Sequence, residues 1–524
     1  MYTPRTVQSL FAALQLAPSF DFNTSCSLSS FSSIPFSQPT QIFQASVVPA
    51  GTTIEFPDAD PSCQSDSSPQ VLSDDICRVT LEVETSSTSR INMEAWLPRN
   101  WTGRFLSTGN GGLGGCIQYQ DVAYAASLGF ATVGANNGHN GTSGAPFENK
   151  PEVLADFAFR SVHTNVVVGK QITKQFYGES HKKSYYLGCS TGGRQGLKSV
   201  EDFPEDFDGV VAGAPAANFN SLISWSGHFF SEITGDSSQP TFIPVNLWFG
   251  LIHNDILAQC DELDGVKDGI IEDPNACNYD PTPLLCKDGA TENCLTPTQA
   301  ETVKKVYSPF LDTQGNLIYP RAQPGGEDIL PIMVGGQPFS FTADWFKYVV
   351  YNSSIDPTTI GMKDYEFAIK LNPFDIATFK GDLNKFKARG GKLLTYHGQA
   401  DGLITPRISE EYYDHAKKVS GELDEYYRFF RISGMSHCSQ GAGAWRIGQG
   451  AGGSLDTDKN VLTAMVQWVE QGVAPETIEG VKFVNDDPEQ GESFRRRHCR
   501  YPLRTTYDRA GDSKSPDSWS CQTV

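Results

Sequence analysis

The stretch Tyr185-Tyr186-Leu187-Gly188-Cys189-Ser190-Thr191-Gly192-Gly193-Arg194 reads as a short apolar strand, a G-x-S-x-G turn and the start of a helix. A turn of this kind lifts a serine hydroxyl clear of the end of a sheet. The unusual letter is Cys189, immediately before the serine. A second cysteine, Cys438, immediately follows His437 near the C-terminus.

Outward from this stretch the pattern is one of alternating strands and helices. Phe130–Val133 reads as a strand, Leu154–Phe176 as a long helix closed by Gly178, Ser184–Leu187 as a buried strand and Phe207–Ala212 as the next. Such alternation predicts a largely parallel sheet covered by helices, an α/β fold. Upstream, Arg78–Val83 and Ile91–Leu97 resemble strands of an antiparallel meander. The alternation stops near Ala214 and resumes at Lys392-Leu393-Leu394-Thr395-Tyr396-His397. Thr405 and Pro406 signal the start of a helix running toward Gly421; Tyr427–Ile432 is a further strand, and Asp458–Gln471 an amphipathic helix ended by Gly472. The reading is one α/β-hydrolase domain, residues 1–214 and 389–524, interrupted by a large inserted lid domain, residues 215–388.

A serine needs an adjacent base, and the base an orienting acid. In α/β-hydrolases the chain order is Ser, then Asp or Glu, then His. Asp401 lies in the loop after the Lys392 strand, and His437 just beyond the Tyr427 strand. Both follow sheet strands, on the side where open α/β sheets build sites. Ser190, His437 and Asp401 therefore fit nucleophile, general base and orienting acid. His397, which also ends a strand, is the rival base. With Ser190 and His437 in reach of each other, Cys189 and Cys438 can fall within disulfide range, a bond that would pin the base-bearing loop to the elbow.

An oxyanion hole needs backbone N–H donors aimed at the developing alkoxide. One is expected from Thr191. The other is expected from the run Gly109-Asn110-Gly111-Gly112-Leu113-Gly114-Gly115-Cys116, with Gly111 and Gly112 as candidates. This run lacks the spacing of a dinucleotide-binding loop.

Bulk properties narrow the class. A formal charge of -20 argues against nucleic acid or an anionic membrane as partner, and no apolar run is long enough to span a bilayer. Twelve cysteines without a C-x-x-C pair point to disulfides rather than zinc. Sequons begin at Asn23, Asn100, Asn140 and Asn352, and with the cysteines they favour a secreted, glycosylated protein. The candidate signal core, Ser9–Ala17, is short and interrupted by Gln15. Nothing in the sequence sets an oligomeric state.

Within the insertion, Asp261-Glu262-Leu263-Asp264-Gly265-Val266-Lys267-Asp268-Gly269-Ile270 places carboxylates at short spacing around glycines. Such a loop can wrap hard oxygen ligands round Ca²⁺, with main-chain carbonyls of Val266 and Ile270 completing the shell. Cys260 and Cys277 bracket it. The metal would be structural, remote from the chemistry. The insertion's aromatics, including Phe229, Phe230 and Trp345, are candidates to hold a substrate ring.

Together, the G-C-S-T-G-G elbow, Asp401 in Gly398-Gln399-Ala400-Asp401, the His437-Cys438 pair and the insertion resemble the tannase and feruloyl esterase family of secreted fungal esterases. The resemblance implies a Cys189–Cys438 disulfide, and calcium held by Asp261, Asp264, Val266, Asp268 and Ile270. It implies the further bonds Cys26–Cys77, Cys63–Cys116, Cys260–Cys277, Cys286–Cys294 and Cys499–Cys521. The expected activity is serine carboxylesterase hydrolysis of hydroxycinnamoyl (ferulate, p-coumarate, caffeate) esters of plant cell-wall polysaccharides. The alternative within the family is a tannase acting on gallate esters. Fungal tannases often carry a Lys-Arg processing site in the lid; none lies between 215 and 388, which favours the feruloyl esterase. A rival of another class is a calcium-dependent glycan-binding wall protein with a degenerate hydrolase fold, which the complete triad disfavours.

Overall fold

The structure, a computed structural model, describes residues 20–352, 354–450 and 453–523. The candidate signal core Ser9–Ala17 lies outside the described residues.

One nine-stranded sheet organises the chain. Its strands are β1 (Thr40–Val48), β2 (Ile76–Glu84), β3 (Arg90–Pro98), β4 (Arg104–Thr108), β5 (Phe130–Ala135), β6 (Lys183–Cys189), β7 (Gly209–Gly213), β8 (Lys392–Gly398) and β9 (Tyr427–Ile432). Their spatial order is β1-β2-β3-β5-β4-β6-β7-β8-β9. The first three strands and the β3–β5 contact are antiparallel, as the upstream meander predicted. From β5 onward every neighbouring pair is parallel, which requires crossovers through helices. The result is an α/β fold with a mixed sheet.

Burial alternates along the parallel strands with period two. Tyr186, Val210, Leu393 and Phe429 join the core on one face. Their chain neighbours Tyr185, Leu187, Val211, Leu394 and Phe430 join the core on the other. A sheet covered on both faces explains why these strands read as continuous apolar runs.

Helices α1 (Tyr119–Ser127), α2 (Ser161–Tyr177) and α3 (Thr191–Asp202) follow β4, β5 and β6. Helix α4 (Phe219–His228) opens the segment between β7 and β8; α5 (Arg407–Ser420) and α6 (Val461–Gln471) follow β8 and β9. The long helix expected over Leu154–Phe176 is a continuous helical run from Pro151 with a π-helical turn at Asp156–Arg160. It ends, as read, at Gly178 with φ 74°. The helix expected from Asp458 starts instead at Val461, because Asn460 caps it by accepting the N–H groups of Leu462 and Thr463. Helix α5 likewise begins at Arg407 rather than at Pro406.

All twelve cysteines are paired as the family resemblance implied: Cys26–Cys77, Cys63–Cys116, Cys189–Cys438, Cys260–Cys277, Cys286–Cys294 and Cys499–Cys521. No helix among the described residues is long and apolar enough to cross a membrane.

Candidate active site

Because β4, β6, β7, β8 and β9 run parallel, their C-terminal ends share one edge, and every predicted catalytic residue sits in a loop leaving that edge. Ser190 follows β6 with φ 65° and ψ −123°, a conformation non-glycine residues rarely adopt. Its N–H donates to the Gly213 carbonyl and its own carbonyl accepts from Ala216 and Arg194, so neighbouring loops hold the turn. The glycines of the elbow answer to close packing. A Cβ on Gly193 would lie 2.2 Å from the Gly213 carbonyl oxygen, and one on Gly188 would lie 2.8 Å from the Tyr186 hydroxyl.

Asp401 is fully buried and receives four hydrogen bonds. Its Oδ1 accepts the Leu403 and Ile404 amides at 2.9 Å each. Its Oδ2 lies 2.7 Å from His437 Nδ1 and 3.1 Å from His397 Nε2. Burial by itself would raise this carboxyl, but the facing His437 charge and the hydrogen bonds from His397 and His437 outweigh it. The group is held well below the usual carboxylate range.

Geometry separates the two candidate bases. His397 Nε2 faces both Asp401 Oδ2 and the Ile404 carbonyl at 3.0 Å, so it carries the proton; Nδ1 meets Ser409 Oγ at 2.7 Å. With no exposed surface, His397 braces the acid from behind. His437 is the histidine that reaches the cavity, which it lines together with Ser190, Gly111 and Gly112.

The glycine-rich loop after β4 crosses the elbow. Thr191 Oγ1 donates to the Gly112 carbonyl at 2.7 Å. Among the described residues, the amides of Gly111, Gly112 and Thr191 donate to no protein acceptor. Residues not anticipated from sequence hold this loop. Gln195 Oε1 accepts the Asn110 amide, while its Nε2 donates to Asn110 Oδ1 and Asn137 Oδ1. Asn110 Nδ2 donates to the carbonyls of Cys116 and Ala135. The Cys63–Cys116 disulfide then ties the end of the loop down.

Two spaces meet at Ser190. A narrow apolar cleft is lined by Leu113, Phe219, Leu222, Ile223, Phe339, Phe341 and Leu403, with Ser226 among them. Phe219, Leu222, Ile223 and Ser226 follow i, i+3, i+4, i+7 spacing and so form one face of α4. A wider, polar cavity of about 610 Å³ extends from the other side. The aromatics expected to hold a ring are elsewhere. Phe229 packs on Trp225 and His228 in the core. Trp345 is buried among Phe147, Phe157 and Phe219 and donates its indole N–H to Asn220. Neither they nor Phe230 line the cleft. Composition could not separate core aromatics from cleft aromatics, whereas the spacing on α4 could have.

In the acidic loop, Asp261 accepts the amides of Asp268 and Gly269. Asp264 Oδ1 accepts from Val266, and Asp268 pairs with Arg496 at 2.7 Å. Asp264 Oδ2 is buried without a partner, and burial, reinforced by the charges of Glu272 and Asp268, pushes that carboxyl up to about 7. No three His, Cys, Asp or Glu side chains among the described residues converge closely enough to hold a metal by themselves. A cation here would draw on main-chain carbonyls, with Val266 and Ile270 the expected donors, and the orphaned Asp264 oxygen fits such an ion. The four sequon asparagines, Asn23, Asn100, Asn140 and Asn352, are all exposed.

Comparison with known proteins agrees with this geometry. A family model described as "Tannase and feruloyl esterase" matches residues 77–358 and 352–522. The chain is 54% identical over 484 residues to the probable feruloyl esterase B of Aspergillus clavatus, covering 90% of this chain and 91% of the relative. The crystal structure of feruloyl esterase B from Aspergillus oryzae superposes with a TM-score of 0.91 at 46% identity, covering 96% of this chain and 100% of that one. The tannin acyl hydrolase of Aspergillus niger shares the fold at a TM-score of 0.76 and 20% identity, covering 96% of each chain. With its catalytic-edge geometry and these matches across nearly its whole length, the chain is an esterase and belongs to the tannase and feruloyl esterase family.

Proposed function

We propose that the protein is a secreted serine carboxylesterase that releases hydroxycinnamic acids (ferulate, p-coumarate, caffeate) from plant cell-wall polysaccharides. The observation that carries this reading is the narrow apolar cleft opening at Ser190. Its apolar lining suits a flat phenylpropenoyl ring, for which the cleft, about 30 Å³ in this structure, would have to widen. A galloyl group presents three adjacent hydroxyls, and a site selecting it would have to pair them. Apart from the nucleophile Ser190, only Ser226 and Thr191 carry side-chain hydroxyls in the cleft; both already donate to backbone carbonyls, so each can only accept, and three adjacent galloyl hydroxyls would outnumber them. The tannase reading is correspondingly weaker.

Ser190 Oγ attacks the ester carbonyl while His437 takes its proton; Asp401 holds the imidazole and stabilises the imidazolium that forms. The tetrahedral oxyanion is received by the amides of Thr191 and of Gly111 or Gly112. Collapse expels the alcohol, protonated by His437, and leaves an acyl-Ser190. Water activated by the same histidine then releases the acid.

The proposed architecture is an α/β-hydrolase domain of residues 1–214 and 389–524 carrying a lid domain of residues 215–388, which supplies Phe219, Leu222, Phe339 and Phe341 to the cleft. Calcium, held by Asp261, Asp264, Val266, Asp268 and Ile270, would stabilise the lid loop that Cys260–Cys277 staples. The buried, unpartnered Asp264 oxygen supports it. N-glycans on the exposed sequons accord with secretion.

Mass spectrometry of enzyme quenched during methyl ferulate turnover tests the mechanism. A feruloyl adduct on the Ser190 peptide is expected. Undiminished turnover by Ser190→Ala would remove Ser190 from the reaction.

A further inference from the structure

The polar cavity that meets the apolar cleft at Ser190 holds two carboxyl groups that the ester chemistry does not use. Asp121 lies in the first turn of α1, and Asp66 lies on the turn that abuts the start of the same helix, its carbonyl accepting the Tyr119 amide at 3.1 Å. Both line the cavity with Gln118, Gln120, Gln440 and Arg446. Their placement is rigid. The Asp66 amide donates to the carbonyl of Cys63, and Cys63 is bonded to Cys116 at the end of the glycine-rich loop. The carboxyl-bearing turn and the loop crossing the nucleophile are therefore one covalently braced unit.

Neither carboxyl is compensated by the protein. Among the described residues, neither makes an ion pair. No hydrogen bond reaches the Asp121 side chain, and Asp66 receives a long one, 3.5 Å, from Ser65 and a contact from the Gln118 side chain that does not offset its burial, which raises its carboxyl. Burial, with the charge of Asp66 adding to it, pushes the Asp121 carboxyl up to about 7. Half-buried carboxylates without donors are costly. Two of them beside a nucleophile call for a ligand that brings donors.

The geometry of an ester assigns which ligand. With the acyl group in the apolar cleft, the alkoxy oxygen leaves Ser190 on the opposite side, toward the polar cavity. A methyl alcohol would leave nearly all of the roughly 610 Å³ unfilled. A sugar has the required volume, hydroxyl donors for carboxylates, and oxygens that accept from the glutamine amides and from Arg446. An anionic alcohol would be repelled.

We infer that this cavity is an alcohol-side subsite for a saccharide, in which Asp66 and Asp121 accept hydroxyls of the esterified sugar. The inference rests on the esterase reading above and extends it to residues that select the leaving group. It makes the enzyme a reader of both halves of its ester, with specificity for the acid set by α4 and Phe341, and for the alcohol by α1 and the Asp66 turn.

Two measurements test it. In the first, kcat/KM is measured at pH 8, above the raised Asp121 value, for methyl ferulate and for a feruloylated arabinose oligosaccharide, in the wild type and in Asp66→Asn/Asp121→Asn. The ratio favouring the sugar ester should fall by roughly tenfold in the variant, the size of one lost hydrogen bond to a charged group, and the change should lie mainly in KM. An unchanged ratio overturns the subsite. In the second, binding of the unesterified arabinose oligosaccharide to Ser190→Ala is measured by calorimetry, with and without Asp121→Asn. Binding weakened by the substitution is expected, and no detectable binding overturns the proposal without any reference to turnover. Failure of the wild type to cleave methyl ferulate would instead count against the esterase reading, and the calorimetric result would stand apart from it.

Discussion

Cys189 is bonded to Cys438 with Cα atoms 6.0 Å apart, and each is the chain neighbour of a proposed catalytic residue, Ser190 or His437. The bond joins segments 249 residues apart in sequence, closing a loop whose chain entropy is on the order of 5 kcal/mol in the unfolded state. Its larger consequence is positional. Cys438 has φ 63°, so the backbone turns sharply just after His437, and the covalent link holds that turn against the elbow. Replacing both cysteines with alanine should lower kcat about 100-fold, the scale of a displacement near 1 Å in a catalytic pair. The measurement is steady-state kinetics on methyl ferulate with folding checked by circular dichroism. An unaltered kcat in folded protein would contradict the clamp.

Asp401 is built to stay ionised. Its folded carboxyl lies below the ordinary range, so its contribution to stability is complete above the unfolded value near pH 3.9 and is lost as pH falls through the lower folded value. Asp401→Asn should therefore be destabilising at pH 6, and the gap from wild type should narrow below about pH 4. Urea titrations at pH 6 and pH 3 read this directly. The same substitution should lower kcat by roughly 10⁴-fold, since the amide cannot stabilise the imidazolium.

The glycine at 112 is required twice over. Its φ is +56°, and an added Cβ would stand 2.6 Å from the Phe341 ring. Gly112→Ala should displace either the oxyanion amide or Phe341, lowering kcat/KM roughly 10²-fold. A variant with normal kinetics would remove this loop from the oxyanion site.

Trp345 and Leu222 separate structure from specificity. Trp345→Ala empties a fully buried site and should cost about 3–5 kcal/mol of stability. Leu222→Asn puts an unpaired amide in the cleft and should act on hydroxycinnamate turnover, by about 10- to 100-fold. Denaturation curves and kinetics on both proteins distinguish the two roles; the opposite assignment of effects would restore Trp345 as a ring contact.

These residues also mark how far the sequence could be read. Strands such as Tyr185–Leu187 and Leu393–Tyr396 were legible because a sheet buried on both faces leaves an apolar run, and the placement of Ser190, Asp401 and His437 at one sheet edge because each follows such a run. The bracing of the site was not legible. Gln195 reaches Asn110 and Asn137 across 85 and 58 positions of chain, and His397 differs from His437 only in which side of Asp401 it faces. Local pattern carries no record of such contacts. Phe229 and Trp345 looked like ring contacts because composition is blind to burial, while α4 showed its cleft face in the Phe219, Leu222, Ile223, Ser226 spacing. The disulfide pairing was supplied by resemblance, since spacing alone leaves connectivity open.

On this reading the apolar lining of the cleft beside Ser190 selects a hydroxycinnamoyl group. Measuring kcat/KM for methyl ferulate against methyl gallate, under identical conditions, tests it most directly. Preference for ferulate by at least roughly tenfold is predicted, because the two cleft hydroxyls cannot satisfy all three galloyl hydroxyls. Equal turnover or a preference for gallate would contradict it.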